Sequence, residues 1–238
     1  MTITDPARCP RCGTRRATSA ASLDLCPVCL LTAALSMGDE PWPYQVTAPM
    51  GEDSRGVTYL AQRLAGEYVA LKIHAPRDDA AEVLSRYQRW KPVLARVQHA
   101  AVGKLLDVGL TAEGRLYVAS EYVAGWSLAA LGSRAPVGID ARASMARQLI
   151  AAIEAAHAAD VAHLKLDASK VKVSMANGPH ATILGLGSSL ILDGREAQRE
   201  PDLLALVRLL RDLGFEVPEH PYQAASAIGE AVSFPVRL

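Results

Sequence analysis

Net charge, aromatic side chains and long apolar runs are what this 238-residue sequence has little of. Its 25 basic and 25 acidic residues cancel, so bulk charge does not predict binding to nucleic acid or to an acidic membrane surface. No run of about 18 apolar residues occurs, and this predicts no transmembrane helix. The N-terminus lacks the basic-then-apolar plan of a signal peptide, so we expect a cytoplasmic protein with no membrane partner.

Apolar side chains are what the sequence does contain. Hydrophobic residues make up 50% of the chain, although phenylalanine occurs only twice. Alanine is abundant, and alanine favours helices. This composition predicts a globular, helix-rich protein with a sizeable core and excludes a disordered chain.

The cysteines form two C-x-x-C pairs, and their spacing predicts a metal site. The four residues are Cys9, Cys12, Cys26 and Cys29. Two such knuckles complete a closed tetrahedral site for Zn²⁺, with an iron–sulfur cluster or a redox thiol pair as the alternatives. Four thiolates leave no open coordination position, so the zinc is expected to be structural. A module this small has almost no core, so metal binding would supply its folding energy.

The same module is locally basic, which raises a second use for it. Its arginines are Arg8, Arg11, Arg15 and Arg16. They would suit contact with nucleic acid, or they form a solvated rim that keeps a small domain soluble. The neutral overall charge and the absence of an aromatic stacking set count against nucleic acid as a partner.

From residue 44 onward the hydrophobic pattern is strand-rich first and helix-rich later. Short apolar runs bounded by glycine or charge predict strands at 46–50, 57–62, 68–74, 102–110, 116–122, 171–174 and 182–184. Apolar residues at helical spacing predict helices over 78–98, from Asp140 as N-cap to Ala159, and around 203–210. The chain is therefore expected to have the α+β class.

This order of elements resembles that of a protein kinase, most closely the bacterial Ser/Thr kinases, over about residues 44–214. Residues 70–73, Ala-Leu-Lys-Ile, are similar to the strand that carries the ATP-binding lysine. Residues 121–128 resemble the family's hinge, E-Y-V-x-G-x-S-L. Residues 163–170 stand where the family has H-R-D-L-K-P-x-N, and residues 185–187, Gly-Leu-Gly, stand where it has D-F-G.

The resemblance implies a bilobal protein-kinase-like fold with a truncated C-lobe, preceded by a small zinc ribbon. Its boundaries are expected at 1–36 for the Cys₄ ribbon and a short helix, 37–43 for a linker, 44–123 for the N-lobe and 124–238 for the C-lobe. The C-lobe is expected to be short because no A-P-E motif follows the Gly-Leu-Gly segment. Some bacterial kinases carry a similar C-P-x-C module.

In the N-lobe, the resemblance implies a nucleotide site that has lost two of its parts. The glycine-rich loop G-x-G-x-x-G keeps Gly51 and Gly56, but Asp53 replaces its middle glycine, and its carboxylate would repel phosphates. Lys72 is retained, either as an ATP contact or paired with another acid. The glutamate that should pair with it aligns with Trp90.

In the C-lobe, the resemblance implies that four positions hold a different residue. The catalytic-base aspartate aligns with Lys165, which cannot accept a proton while it is charged. The catalytic-loop lysine aligns with Asp167, so a local contact between these two residues is expected to be possible. The asparagine and aspartate that hold magnesium align with Lys170 and Gly185.

These exchanges predict a catalytically inactive pseudokinase, not an enzyme, that acts as a protein-binding regulatory or scaffold subunit. Structural Zn²⁺ is the expected cofactor, whereas ATP and Mg²⁺ are not expected. The expected partner is a protein, either an active kinase or an enzyme of the same pathway.

Two other functions remain open. The first is an atypical nucleotide-binding protein or weak phosphotransferase that uses Lys72, Asp167 and Asp193. Its nucleotide contacts would be Lys72, Gly51, Gly56, Glu121 and Val123. The second is a nucleic-acid-binding adaptor that acts through the zinc ribbon.

Overall fold

The computed structural model describes residues 43–131 and 137–217, which divide into two compact units. The first unit contains the described chain up to Ala81 together with Leu106–Tyr122. The second contains Glu82–Leu105 and the described chain from Val123 onward. The cysteines of the predicted zinc ribbon lie outside the described residues.

The first unit is a five-stranded sheet in the order β1-β2-β3-β5-β4. Its strands are β1 Tyr44–Asp53, β2 Gly56–Arg63, β3 Tyr68–His74, β4 Leu105–Leu110 and β5 Leu116–Glu121. The pairs β1–β2, β2–β3 and β3–β5 are antiparallel. These strands form where the sequence places short apolar runs between glycine-containing turns.

Strand β3 shows how the sheet buries its core. Val69, Leu71 and Ile73 are almost fully buried, because alternate residues of a strand point to the same face. Lys72 lies between two of them, so its side chain belongs to the opposite face of the sheet. The alternation of the sequence therefore decides that this lysine is accessible.

The β1–β2 hairpin is held close to β3 by Gly56. Its φ of 141° lies in a region that L residues rarely adopt, and a Cβ there would collide with the carbonyl oxygen of Ile73. Gly51 differs, because a Cβ at that position would meet nothing within 4 Å. Only the second of these two glycines is required by the backbone.

The second unit combines helices with a three-stranded sheet in the order β6-β7-β8. Its helices are α1 Ala80–Leu94 (which begins two residues before the unit), α2 Ile139–Ala158, α3 Ser188–Leu192 and α4 Glu200–Asp212. Its strands are β6 Trp126–Ser127, β7 Val171–Ser174 and β8 His180–Ile183, and 3₁₀ turns occur at Leu128–Ala130 and Ala168–Lys170.

Helix α2 runs through the core of this unit. Met145, Leu149 and Ile153 recur every four residues and are at most 1% exposed, as expected for one stripe of a buried helix. They belong to a single apolar cluster that also contains residues of β7, β8 and α4. Burial of this stripe, rather than helix propensity alone, stabilises α2.

A buried carboxylate joins α4 to the loop after α2. Asp202 is 0% exposed and accepts hydrogen bonds from the backbone N–H groups of His163 (2.7 Å) and Leu164 (2.6 Å). Its Oδ2 also lies 3.0 Å from Nε2 of His157. Leu164 has a φ of 66°, which is unfavourable for a side chain with a Cβ, so these hydrogen bonds hold the loop in a strained conformation.

The predicted elements were found with shifted ends. The strand predicted over 102–110 begins at Leu105, because Ala101 and Gly103 instead exchange backbone hydrogen bonds with Ile183. The N-cap predicted at Asp140 was wrong: the helix begins after Gly138, and Asp140 lies in its first turn. At that position its negative carboxylate still interacts favourably with the positive end of the helix dipole. In the part of the chain that the structure describes, no helix is long and apolar enough to cross a membrane.

We predict that Asp202→Ala strongly destabilises the second unit. The substitution leaves two buried N–H groups and one histidine without their acceptor, which costs about 3 kcal/mol or more of unfolding free energy. Urea unfolding followed by tryptophan fluorescence measures this loss. Asp212→Ala is the control, since this aspartate is exposed at the end of the same helix. Equal midpoints for the two variants would contradict the role assigned to Asp202.

Candidate functional site

Lys72 of the first unit is paired with an acid of the glycine-containing hairpin. Its Nζ lies 2.6 Å from Oδ2 of Asp53, and the two side chains are 23% and 55% exposed. The other oxygen, Oδ1 of Asp53, accepts a hydrogen bond of 2.9 Å from the backbone N–H of Arg55. The sequence left two roles for Lys72, an ATP contact or a pair with another acid. In this structure Lys72 is paired with an acid, Asp53.

Trp90, at the position of the expected glutamate, and Glu82, an acid of the same helix, have contacts other than Lys72. Trp90 packs against the apolar cluster of the second unit. Glu82 accepts a hydrogen bond of 2.6 Å from Nη1 of Arg86, one turn further along α1. The contact of Glu82 lies within α1, and that of Trp90 lies within the second unit.

His74 ends β3 beside this ion pair. The residue is 2% exposed, and its Nε2 has no hydrogen-bond partner among the described residues. Its carbonyl oxygen accepts two hydrogen bonds, of 3.0 and 2.8 Å, from the guanidinium of Arg115. Burial and, to a smaller extent, the positive charges of Lys72, Arg77 and Arg55 together lower the pKa of His74 to about 4, against the opposing effect of Asp53.

The second unit brings Lys165 together with Asp193. The Nζ of Lys165 lies 2.7 Å from Oδ2 of Asp193, and the side chains are 38% and 28% exposed. The contact expected between Lys165 and Asp167 is replaced by this one. Asp193 was a suspected functional residue, but its sequence position, 28 residues away, gave no sign of this partner.

Asp167 is used locally instead. It is the N-cap of the 3₁₀ turn Ala168–Lys170, and its Oδ1 accepts hydrogen bonds from the backbone N–H (2.7 Å) and the hydroxyl of Ser169. Partial burial raises the pKa of this carboxyl, but the hydrogen bonds from Ser169 and the charge of Lys170 lower it below its ordinary value.

The remaining predicted positions are placed as follows. Lys170 is exposed, and Gly185 has a φ of 79°. Glu121 at the end of β5 is exposed and Val123 is half-buried. Leu186, which stands where the family has phenylalanine, is 5% exposed in the apolar cluster of the second unit.

His163 has a structural role. It is 3% exposed, and its Nε2 donates a hydrogen bond of 2.8 Å to the carbonyl oxygen of Leu184. The backbone N–H of Lys165 lies 3.4 Å from its Nδ1. Burial lowers the pKa of His163, so the neutral ring that these contacts require is favoured at neutral pH.

A segment that the sequence did not single out runs beside α1. Arg86, 8% exposed, donates from Nε to the carbonyl oxygen of Ile191 (2.6 Å), and its Nη2 lies 3.5 Å from that of Leu192. It thereby caps the C-terminus of α3. A Cβ on Gly187 would lie within 2.5 Å of Leu94, so α3 begins in close contact with α1. The feature of the sequence that could have indicated this contact is Arg86 itself, a charged residue on the buried face of α1, where an apolar residue would be usual.

The chain is similar in sequence to serine/threonine-protein kinases, although no family model matches it. It is 30% identical over 161 residues to serine/threonine-protein kinase pkn3 of Myxococcus xanthus, covering 65% of this chain and 29% of that protein. It is 29% identical over 161 residues to PknE of Mycobacterium tuberculosis, covering 66% and 28%. The chain thus spans less than a third of the length of these relatives.

The fold is also found among solved structures. The chain matches the crystal structure of Rad53 residues 1–466 in complex with AMP-PNP with a TM-score of 0.57 and 19% identity. The match covers 79% of this chain and 54% of that one. The chain has a protein-kinase-like fold of the α+β class.

These comparisons contradict the predicted function. An inactive, non-enzymatic scaffold was inferred from the residues at the catalytic positions, but the relatives are named as serine/threonine-protein kinases. They favour the nucleotide-binding or phosphotransferase alternative. The prediction considered single positions one at a time, and it did not take account of side chains from elsewhere in the chain, such as Asp193, whose carboxylate lies 2.7 Å from Lys165.

The predicted cofactors are corrected on the same evidence. The expectation that ATP and Mg²⁺ are not used is contradicted by the kinase relatives, and the Rad53 structure contains AMP-PNP. Within residues 43–131 and 137–217, no group of three or more His, Cys, Asp or Glu side chains that could hold a metal occurs. The cysteines proposed to hold zinc lie outside these ranges.

We predict that His74 makes the stability of the first unit depend on pH. Its folded pKa of about 4 lies below the unfolded value of 6.5, so stability is full above pH 6.5 and falls as the pH approaches 4. The loss reaches up to about 3 kcal/mol. Urea midpoints measured from pH 7 to pH 4 should fall more steeply for the wild type than for His74→Leu, which has no imidazole to protonate. Parallel curves would show that His74 is not responsible.

Proposed function

We propose that this chain is an atypical nucleotide-binding protein with weak phosphotransferase activity. It binds ATP and transfers the terminal phosphoryl group to a hydroxyl group of a protein partner. Support comes from the fold, from relatives named serine/threonine-protein kinases, and from one observation in the first unit. That observation is Lys72, presented beside the glycine-containing hairpin in an ion pair that an anion can replace.

The Lys72 ion pair is suited to exchange. Both side chains are partly exposed, and exposed pairs contribute only about 0.2–1 kcal/mol. A phosphate oxygen can accept the ammonium in place of Asp53 with a stronger, charge-assisted hydrogen bond. The lysine is therefore available to a nucleotide at a small energetic cost.

Further positive charge surrounds this position. Lys72, Arg77 and Arg55 all lie near enough to lower the pKa of His74. Positive charge stabilises phosphoryl groups during transfer, which depends mainly on positioning and electrostatics. Arg77 is itself paired with Asp79 at 2.8 Å, so the positive charge that we expect to act on a nucleotide's phosphates comes mainly from Lys72 and Arg55.

Asp193 is the better candidate for the proton acceptor. Phosphoryl transfer breaks the bond between the γ-phosphorus and the ADP oxygen, forms a bond to the acceptor hydroxyl oxygen, and releases that hydroxyl's proton to a base. Lys165 cannot act as this base while it is charged, but it holds Asp193 at 2.7 Å. Asp167 is the poorer candidate because its Oδ1 accepts both the backbone N–H and the hydroxyl of Ser169, which ties this carboxylate to its own 3₁₀ turn.

The residues at the family's two magnesium-binding positions do not fit a divalent cation. Lys170 carries a positive charge, and Gly185 has no side chain. A cation that accompanies the nucleotide would need other ligands in this chain.

The acceptor we propose is a serine or threonine hydroxyl on a protein. This agrees with the protein partner expected from the sequence, either an active kinase or an enzyme of the same pathway. Binding to such a partner would also position the acceptor hydroxyl, and positioning is a large part of catalysis.

We predict that nucleotide binding and phosphoryl transfer depend on different residues. Lys72→Ala should weaken ATP binding about tenfold to hundredfold, because a charge-assisted hydrogen bond is lost. Asp193→Asn should slow transfer about a hundredfold while ATP affinity is kept. Calorimetry with ATP, with and without Mg²⁺, measures the first effect, and transfer of labelled phosphate to a protein mixture measures the second.

Two control variants accompany this experiment. Lys91→Ala removes an exposed lysine of α1 and should bind ATP like the wild type. Asp167→Asn should reduce transfer less than Asp193→Asn does. Wild-type protein that binds no ATP under either metal condition would refute the proposed function.

A further inference from the structure

We infer that Asp53 determines how strongly Lys72 favours ligands that carry phosphate. The Asp53 carboxylate binds the Lys72 ammonium that a nucleotide's phosphate would otherwise bind, and this ion pair must break when the nucleotide binds. The inference rests on the proposed nucleotide binding and assigns a residue that sets which ligands are favoured. The sequence predicted only that Asp53 repels phosphates. In the structure its carboxylate also competes with them for the ammonium of Lys72.

The contact joins two strands that are not neighbours. Asp53 ends β1, whereas Lys72 lies in β3, and β2 runs between them. On β2, Gly56 pairs with Asp53 and Thr58 pairs with Lys72. Neighbouring strands lie about 4.8 Å apart, so side chains, rather than the ladder, make this 2.6 Å contact.

The hairpin turn orients the carboxylate for this contact. Oδ1 of Asp53 accepts the hydrogen bond from the N–H of Arg55 (2.9 Å), which leaves Oδ2 for the ammonium of Lys72. An aspartate that bonds the backbone two residues ahead is a stable turn feature. Asp53 is therefore held in place by the turn as well as by the lysine.

This arrangement acts only on ligands that carry phosphate. A phosphate that approaches Lys72 meets the negative charge of Asp53 and must also break the ion pair. A nucleoside has no anionic group that competes with Asp53 for the ammonium. The penalty from Asp53 should therefore be felt by ATP and ADP but not by adenosine.

Asp53→Asn removes the negative charge of this side chain and keeps its shape. The amide oxygen can still accept from Arg55, while the negative charge at Lys72 is lost. We expect the variant to bind ATP about fivefold more tightly, in line with the strength of an exposed ion pair. Adenosine should bind both proteins equally. Glu52→Gln is the matched control: it removes the neighbouring exposed acid and should change ATP affinity less.

A double-mutant cycle shows whether Asp53 acts through Lys72. In the Lys72→Ala background, Asp53→Asn should no longer improve ATP binding. An effect on loop structure alone would persist in that background. A persistent fivefold gain would overturn the inference.

A measurement without nucleotide tests the ion pair itself. Limited acetylation by an amine-reactive ester, followed by peptide mass spectrometry, reports how available the Lys72 amine is. Asp53→Asn should increase labelling of Lys72 and leave labelling of Lys91 unchanged. Equal labelling of Lys72 in both proteins would overturn the inference.

The outcomes distinguish the inference from the proposed function. If the wild type binds ATP through Lys72 and Asp53→Asn changes neither affinity nor labelling, the inference fails and the proposed function stands. If neither the wild type nor Asp53→Asn binds ATP, the proposed function fails and the selectivity assigned to Asp53 fails with it. Tighter ATP binding, unchanged adenosine binding and increased labelling together would support the inference.

Discussion

The carboxylate of Asp202 fixes the loop on which the second unit's candidate chemistry depends. Its oxygens, which are fully buried, accept the backbone N–H groups of His163 and Leu164 and contact His157. These bonds compensate for the left-handed backbone of Leu164. Lys165 follows directly, so the position that presents Asp193 is set by a buried residue of α4.

An ion pair between an acid and a lysine is present in each of the two units. In one, Lys72 binds the hairpin acid Asp53 and not a helix glutamate; in the other, Lys165 binds Asp193. Each acid is distant from its lysine in the sequence, by 19 residues for Asp53 and by 28 for Asp193.

The sequence predicted the fold better than the site. Alternation and helical spacing located β3, α2 and α4, because burial of one face decides these elements. Helix α3 has five residues, too few for a periodic pattern, and it was missed. The Lys165–Asp193 contact depends on how a loop returns to the core, which spacing does not encode. The predicted loss of function was wrong because it equated residue identity at single positions with the chemistry of the whole site.

The cap that Arg86 places on α3 limits which residues this position tolerates. Lysine would keep the charge but has a single nitrogen on a flexible stem, so it lacks the planar fork that reaches Ile191, Leu192 and Glu82 together. An apolar residue would remove the buried hydrogen bond to the carbonyl oxygen of Ile191. Substitution at position 86 is therefore constrained by the geometry of a guanidinium.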